Sequence, residues 1–143
     1  MKVTKEITFD CAHMLSYYDG KCANLHGHTY KLQVTLEGAV GDRTHMVLDF
    51  NVLKDVLNEA VMKRFDHAVI FSDVKLRNPA EDDLWAWAET YGKNYAVIPN
   101  GKTTCEDMAP YIRDLINAEL QGRNIEVAVS IRLWETPTSF AEC

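Results

Sequence analysis

Apolar and polar residues alternate along several stretches of the chain, as they do in strands. Residues 2–12 and 29–38 are rich in β-branched and aromatic side chains that alternate imperfectly with polar ones, which predicts two strands. Residues 125–134 alternate cleanly, with an apolar side chain at every odd position, and predict a strand with one buried face. Tyr95–Pro99 predicts one further short strand.

A different period, typical of amphipathic helices, follows Asp49. Asp49 is a predicted N-cap, and the apolar residues after it recur every three or four positions, which predicts a first helix from about 50 to 63. Residues 81–91 lie between Pro79 and Gly92 and predict a short helix.

A second long helix is predicted to end at Gly122. Two capping boxes are available at its start, either Thr103 with Glu106 or Thr104 with Asp107. The predicted order is therefore two strands, a helix, a short helix, a strand, a helix and a strand.

This order predicts a single α+β domain over residues 1–143. We expect an antiparallel four-stranded sheet with the two long helices on one face. No internal repeat, low-complexity tract or Pro/Gly-rich linker divides the chain. The second face of the sheet needs cover, and oligomerisation would supply it.

Composition excludes some classes of protein. The chain has 143 residues, a formal charge of −6 and a pI near 5.3, which argues against a protein that coats nucleic acid or an anionic membrane. An anionic substrate would need a local basic patch. The start of the chain has no apolar signal core and no apolar run approaches the roughly 18 residues of a membrane span, so we expect the protein in the cytoplasm.

The four cysteines are scattered and form no Cys-x-x-Cys pair. This argues against disulfides and against a structural zinc ribbon. At least one thiol is therefore expected to be free for chemistry.

Three histidines point to a metal site. His26 and His28 open the second predicted strand, and residues two apart on a strand project from the same face about 6.5–7 Å apart. His13, at the end of the first strand, would lie near them if the two strands pair as a hairpin. Three imidazoles and one open position suit catalytic zinc, whereas three surface or core-rim histidines are the alternative.

Two further groups could transfer protons. Cys22 is separated from His26 by three residues, and a nearby metal would favour its thiolate as a base or nucleophile; a metal ligand or an inert buried thiol are the alternatives. Asp66 and His67 follow the first helix. An Asp–His pair fixes the imidazole tautomer for proton transfer, although a capping or surface pair would have the same sequence.

Two carboxylates could bind a ligand. Glu106 lies in the first turn of the second long helix and Glu135 at the end of the last strand. A carboxylate at a strand end can accept two N–H groups from a guanidine-like ring edge. The alternatives are a capping box for Glu106 and a surface charge for Glu135.

Six short motifs follow one another along nearly the whole chain, namely Phe9-Asp10-Cys11-Ala12-His13, Cys22-x-x-x-His26-Gly27-His28-x-Tyr30, Asp49-Phe50, Phe65-Asp66-His67, Thr104-x-Glu106 and Trp134-Glu135-Thr136. Together they resemble the motifs of the 6-pyruvoyltetrahydropterin synthase family. The spacing of Cys22 before the His-Gly-His motif is similar to that in the family's 6-carboxytetrahydropterin synthase branch of queuosine biosynthesis. The pyruvoyl branch typically has a longer spacing, and a folate-linked branch relies on a Glu near this position.

The resemblance implies a tunnelling fold, in which the sheets of a trimer join into a barrel and two trimers pair into a homohexamer with active sites between subunits. It implies roles for nine residues. His13, His26 and His28 would hold Zn²⁺. Cys22, Asp66 and His67 would transfer protons, the latter two from a neighbouring subunit. Glu135 would bind the 2-amino and ring N–H edge of a pterin, with Glu106 and Thr104 near that pocket.

The implied reaction is that of a zinc-dependent lyase. It would convert 7,8-dihydroneopterin triphosphate to 6-carboxytetrahydropterin, acetaldehyde and triphosphate without nicotinamide, and no dinucleotide or Walker motif is present. Two alternatives stay open, namely the pyruvoyl-forming reaction and a non-catalytic oligomer that binds metal or pterin. Residues 73–94 match none of the family motifs, and Trp85 and Trp87 are expected to serve packing.

Overall fold

In a computed structural model that describes residues 1–143, six strands form one sheet. Two long strands, β1 and β2, pair antiparallel along their full lengths, and β5 and then β6 extend the sheet antiparallel beyond β2. On the other side of β1, β3 and then β4 are added in parallel. The sheet order is β4-β3-β1-β2-β5-β6. The strands are Lys2–His13, His26–Glu37, Ala68–Phe71, Tyr95–Val97, Ala128–Thr136 and Ser139–Glu142.

The predicted four-stranded antiparallel sheet is therefore wrong, although the α+β class is correct. β3 and β6 have four residues each, too few for a period to stand out. β3 and β4 are also parallel to the strands beside them, and that direction depends on how the connecting chain crosses over. β2 begins at His26 instead of residue 29, and β5 at Ala128 instead of residue 125.

The first helix, α1, confirms the predicted position. It runs as an α-helix over Phe50–Leu57, passes through a π-helical segment at Asn58–Met62 and ends with an α-helical turn at Lys63–Phe65. The Asp49 carboxylate accepts a hydrogen bond from the Asn51 amide at 2.7 Å, as expected of an N-cap.

Helix α2 spans Pro79–Thr90 and begins two residues earlier than predicted. The side chain of Asn78 caps it by accepting from the Glu81 amide at 2.9 Å. Pro79 takes the first helical position, where its missing N–H is not needed.

Helix α3 spans Cys105–Gly122 and confirms the predicted end. Thr104 is the N-cap, and its hydroxyl accepts from the Asp107 amide at 3.4 Å. Asp107 does not reach back to Thr104, because its carboxylate accepts from the Lys102 amide at 2.8 Å. Of the two predicted capping boxes, Thr104 with Asp107 lies at the cap, but the box is incomplete.

The core lies between one face of the sheet and helices α1 and α3. Side chains from β2, α1 and α3 pack in one continuous cluster, while the alternate residues of β1 leave the opposite face polar and exposed. No helix combines the length and the apolar run that crossing a bilayer requires. The buried side chains include Leu32, Val34, Leu53, Val56, Met108 and Ile112.

Candidate active site

Three imidazoles converge at the end of the β1–β2 hairpin, on its buried face. The register pairs His13 with His26 and Cys11 with His28, so all three histidines project from the same side. One nitrogen from each ring lies within 4.8 Å of those of the other two. The hairpin register therefore produces the cluster that the sequence predicted.

Hydrogen bonds to backbone carbonyls orient two of the rings. The Thr103 carbonyl accepts from His13 Nδ1 and the Asn24 carbonyl from His26 Nδ1, each at 2.8 Å. A carbonyl only accepts, so Nδ1 carries the proton in both rings and Nε2 keeps its lone pair.

The Nε2 atoms of His13, His26 and His28 are all buried without a hydrogen-bond partner. Buried polar atoms are rarely left without a partner, and three unpaired nitrogens that face one another suit a metal ion with a preference for imidazole. The residues present therefore fit a metal, with the second bonds of His13 and His26 to carbonyls typical of ligating histidines.

The surroundings of the cluster favour the neutral form of two of its imidazoles. Burial is the main cause that lowers the pKa of His13 and of His28 below the ordinary value of 6.5, and the neighbouring His26 lowers both further. The hydrogen bond to the Thr103 carbonyl opposes this shift of the pKa of His13, and the Glu135 carboxylate opposes the shift in both. Both imidazoles are therefore neutral at pH 7, which is the form that binds a metal.

Glu135, near the end of β5, lies beside the cluster. Its Oε1 atom is 3.6 Å from His13 Nε2 and 3.8 Å from His28 Nε2, and it accepts a hydrogen bond from the buried Tyr30 hydroxyl at 3.4 Å. The carboxylate is partly exposed. It therefore faces whatever binds at the three imidazoles, and its predicted contact with the pterin edge stays a prediction.

Cys22 lies in the loop that connects His13 to His26. Its 3₁₀ turn, Lys21–Ala23, is tied to the end of β1 because the Cys22 carbonyl accepts from the Leu15 amide at 2.8 Å. The Cys22 side chain is partly exposed, and the set of converging ligand atoms does not include its sulfur. Its role as a base stays a prediction.

Asp66 and His67 form the predicted pair, without a hydrogen bond to the histidine cluster. Asp66 Oδ1 accepts from the Asp10 amide at 3.0 Å and lies 3.1 Å from His67 Nδ1. The His67 side chain is 78% exposed, and no hydrogen bond or ion pair joins it to Cys22 or to the three imidazoles. Within one chain, no hydrogen bond or ion pair therefore joins the Asp66–His67 pair to Cys22 or to the three histidines, and its predicted role in proton transfer stays a prediction.

The start of α3 contributes a residue that the sequence did not assign to the site. Thr104 caps the helix, and the exposed Glu106 makes no hydrogen bond within the chain. It is Thr103 that contacts the cluster, through its carbonyl to His13, while its buried hydroxyl donates to the Met14 carbonyl at 2.8 Å. A backbone carbonyl has no signature in the sequence, so only the neighbouring capping motif indicated this region.

Comparisons with known proteins agree with one another. The family model described as "6-pyruvoyl tetrahydropterin synthase" matches residues 2–143. A relative from Haemophilus influenzae, a 6-carboxy-5,6,7,8-tetrahydropterin synthase, is 39% identical over 99% of this chain and 96% of its own length. A protein of the same name from Rickettsia felis is 30% identical over 99% of both chains.

Solved structures show the same fold. A catalytic-residue mutant of Plasmodium vivax 6-pyruvoyltetrahydropterin synthase matches with a TM-score of 0.75 and 20% identity, over 100% of this chain and 96% of its own. Caenorhabditis elegans 6-pyruvoyl tetrahydropterin synthase matches with a TM-score of 0.69 and 22% identity, over 100% and 94% of the two chains.

Proposed function

The chain belongs to the 6-pyruvoyl tetrahydropterin synthase family, and on that premise we propose that it acts as a 6-carboxy-5,6,7,8-tetrahydropterin synthase. The enzyme would convert 7,8-dihydroneopterin triphosphate and water to 6-carboxytetrahydropterin, acetaldehyde and triphosphate in the cytoplasm, on the route to queuosine. The observation that carries the proposal is the convergence of three unpaired imidazole nitrogens beside the Cys22 loop. The named relatives support the same activity.

His13, His26 and His28 would hold a Zn²⁺ ion through Nε2. When bound, zinc supplies a Lewis acid for the oxygen atoms of the substrate's side chain. The backbone carbonyls of Thr103 and Asn24 hold two of these rings by Nδ1, so the ligands are oriented before any metal arrives.

The Cys22 thiolate would remove a proton from the substrate's side chain. Asp66 lies against His67 Nδ1 and would hold the proton on that atom, which leaves His67 Nε2 to exchange a proton with the substrate. Because no hydrogen bond or ion pair joins this pair to the cluster of its own chain, it would act at the site of a neighbouring subunit.

We therefore include a homohexamer, a dimer of trimers, in the proposal. An exposed polar sheet face and an exposed His67 side chain support it, because both are available to a second copy of the chain. The trimer's sheets would join into a barrel and cover that face.

Glu135, Glu106 and Thr104 would bind the pterin ring. For Glu135→Gln we expect the dissociation constant for substrate to rise about 10- to 100-fold, because a charged hydrogen bond contributes about 1.5–3 kcal/mol. Metal content should be unchanged, because the carboxylate is not among the converging ligand atoms. Equilibrium titration with the pterin measures the first and elemental analysis the second.

The matched control is Glu126→Gln, which removes an exposed carboxylate just before β5 and should leave both quantities unchanged. Wild-type pterin affinity in Glu135→Gln would contradict the assignment of this carboxylate.

The reaction itself is tested by incubating the metal-loaded protein with 7,8-dihydroneopterin triphosphate. We expect acetaldehyde and 6-carboxytetrahydropterin in equal amounts, identified by derivatisation and mass spectrometry. A product that retains the three-carbon side chain would indicate the pyruvoyl-forming reaction instead. Bound metal without any turnover would indicate a non-catalytic oligomer.

A further inference from the structure

The loop between His13 and His26 carries Cys22, and a buried serine anchors its beginning. Ser16 is only 2% exposed, although it lies in an irregular segment. Its hydroxyl donates to Glu81 Oε2 at 2.5 Å and accepts from the Asn78 amide at 2.8 Å. Both partners belong to the start of α2, so the loop is attached there through one side chain.

The carboxylate at the centre of this attachment has no contact with solvent. Glu81 is 0% exposed, and each of its oxygens accepts one hydrogen bond, from Ser16 and, at 2.6 Å, from the Ser72 amide. A buried carboxylate is unfavourable unless its oxygens are paired. Glu81 therefore holds the loop after β1 and the segment after β3 in a defined arrangement.

Arg77 forms hydrogen bonds with both of these segments. Its Nε donates to the Ser72 carbonyl at 2.7 Å, and its guanidinium lies 5.1 Å from the centre of the Trp85 ring. The Arg77 carbonyl accepts from the Tyr17 hydroxyl at 3.2 Å. Arg77 and Trp85 belong to residues 73–94, which match none of the family motifs, whereas Ser72 precedes this segment and Tyr17 lies in the loop.

A hydrogen bond next to Ser16 connects the start of the loop to Cys22, and a second one orients His26 through the Asn24 carbonyl. The residue before it, Leu15, donates its amide to the Cys22 carbonyl. The same 3₁₀ turn leads into Asn24, whose carbonyl orients His26. Displacement of Ser16 would therefore move the Cys22 backbone relative to the imidazoles.

We propose that Glu81 is a positioning residue for the reaction, which through the Ser16 hydroxyl holds the Cys22 loop in place beside the three imidazoles. The inference rests on the proposed function, because it requires that the Cys22 sulfur takes part in chemistry. Misplacement of a reacting group by about 1 Å can lower a rate about 100-fold, so anchoring of this loop affects turnover.

The test compares two buried serines. Ser16→Ala removes the hydroxyl that binds Glu81, whereas Ser72→Ala removes a buried hydroxyl that has no hydrogen-bond partner. For Ser16→Ala we expect kcat to fall about 10- to 100-fold with KM and metal content close to wild type. Amide hydrogen exchange in residues 14–24 should become faster by about tenfold or more.

Ser72→Ala should match the wild type in all four measurements. Glu81→Gln should change them in the same direction as Ser16→Ala, and if that variant does not fold, Ser16→Ala alone decides. Unchanged exchange in Ser16→Ala, or faster exchange with an unchanged kcat, would overturn the proposal.

Failure of the proposed function can be told apart from failure of this inference. A wild-type protein without lyase activity would refute the proposed function and the catalytic part of the inference. The exchange rates of Ser16→Ala and Ser72→Ala need no turnover, and they would then decide whether Glu81 anchors the loop.

Discussion

Substitution of His26 by asparagine is expected to abolish metal binding and lyase activity together. Asparagine has no imidazole nitrogen to offer, and two histidines hold zinc much less tightly than three. Because metal stabilisation of developing charge contributes several kcal/mol, we expect kcat/KM to fall about 1000-fold or more. Elemental analysis after dialysis measures the metal, independently of activity.

The matched control is His45→Asn. His45 lies in an exposed loop with φ 54°, a conformation that asparagine adopts readily, and it takes no part in the cluster. This variant should keep full metal content and full activity. A His26→Asn protein that retains one metal per chain would refute the three-histidine site.

The second large effect is expected for Cys22→Ala. Loss of a positioned base lowers turnover about 10²- to 10⁴-fold, while the three imidazoles and their metal should remain, because the Cys22 sulfur is not among the converging ligand atoms. Steady-state kinetics and elemental analysis separate the two roles. Full activity would refute the thiol as base, and loss of metal would identify it as a ligand instead.

Alkylation of the wild type at pH 8 provides an independent measurement of the same thiol. Burial raises the pKa of Cys11 to about 12 and that of Cys105 to about 11, so only about one in 10⁴ and one in 10³ of these groups are thiolate at that pH. Inactivation should therefore follow modification of Cys22, resolved by peptide mass spectrometry. Cys143→Ala, at the partly exposed chain end, is the matched control and should keep wild-type kinetics.

The structure adds two contacts of Glu135 that the sequence did not predict. From the sequence it is a strand-end carboxylate, and the family resemblance implies that it binds a pterin edge. The fold places its Oε1 atom 3.6 Å from His13 Nε2 and in contact with the buried Tyr30 hydroxyl. Burial raises the pKa of Tyr30 far above the ordinary value of 10, so this hydroxyl stays protonated and donates to Glu135. This hydrogen bond therefore helps to fix the orientation of the carboxylate beside the three imidazoles.

The sequence by itself determined the parts of this protein that depend on local spacing. The periods of apolar residues located β1, β2, α1 and α3, because alternation and the 3.6-residue repeat depend only on residues close together in the sequence. The two-residue spacing of His26 and His28 placed them on one face. A simple hairpin then brought His13 beside them.

Only the tertiary structure decided what depends on distant segments and on the backbone. Three such features are the parallel pairing of β3 and β4, the hydrogen bond from His13 to the Thr103 carbonyl and the burial of Glu81 against the Cys22 loop. They join residues 9 to 90 positions apart, through groups whose partners no local pattern specifies. Every residue carries the same amide and carbonyl, and a glutamate on a short helix has the same sequence signature whether it is solvated or fully buried. Long-range hydrogen bonding and burial emerge only when the chain is packed.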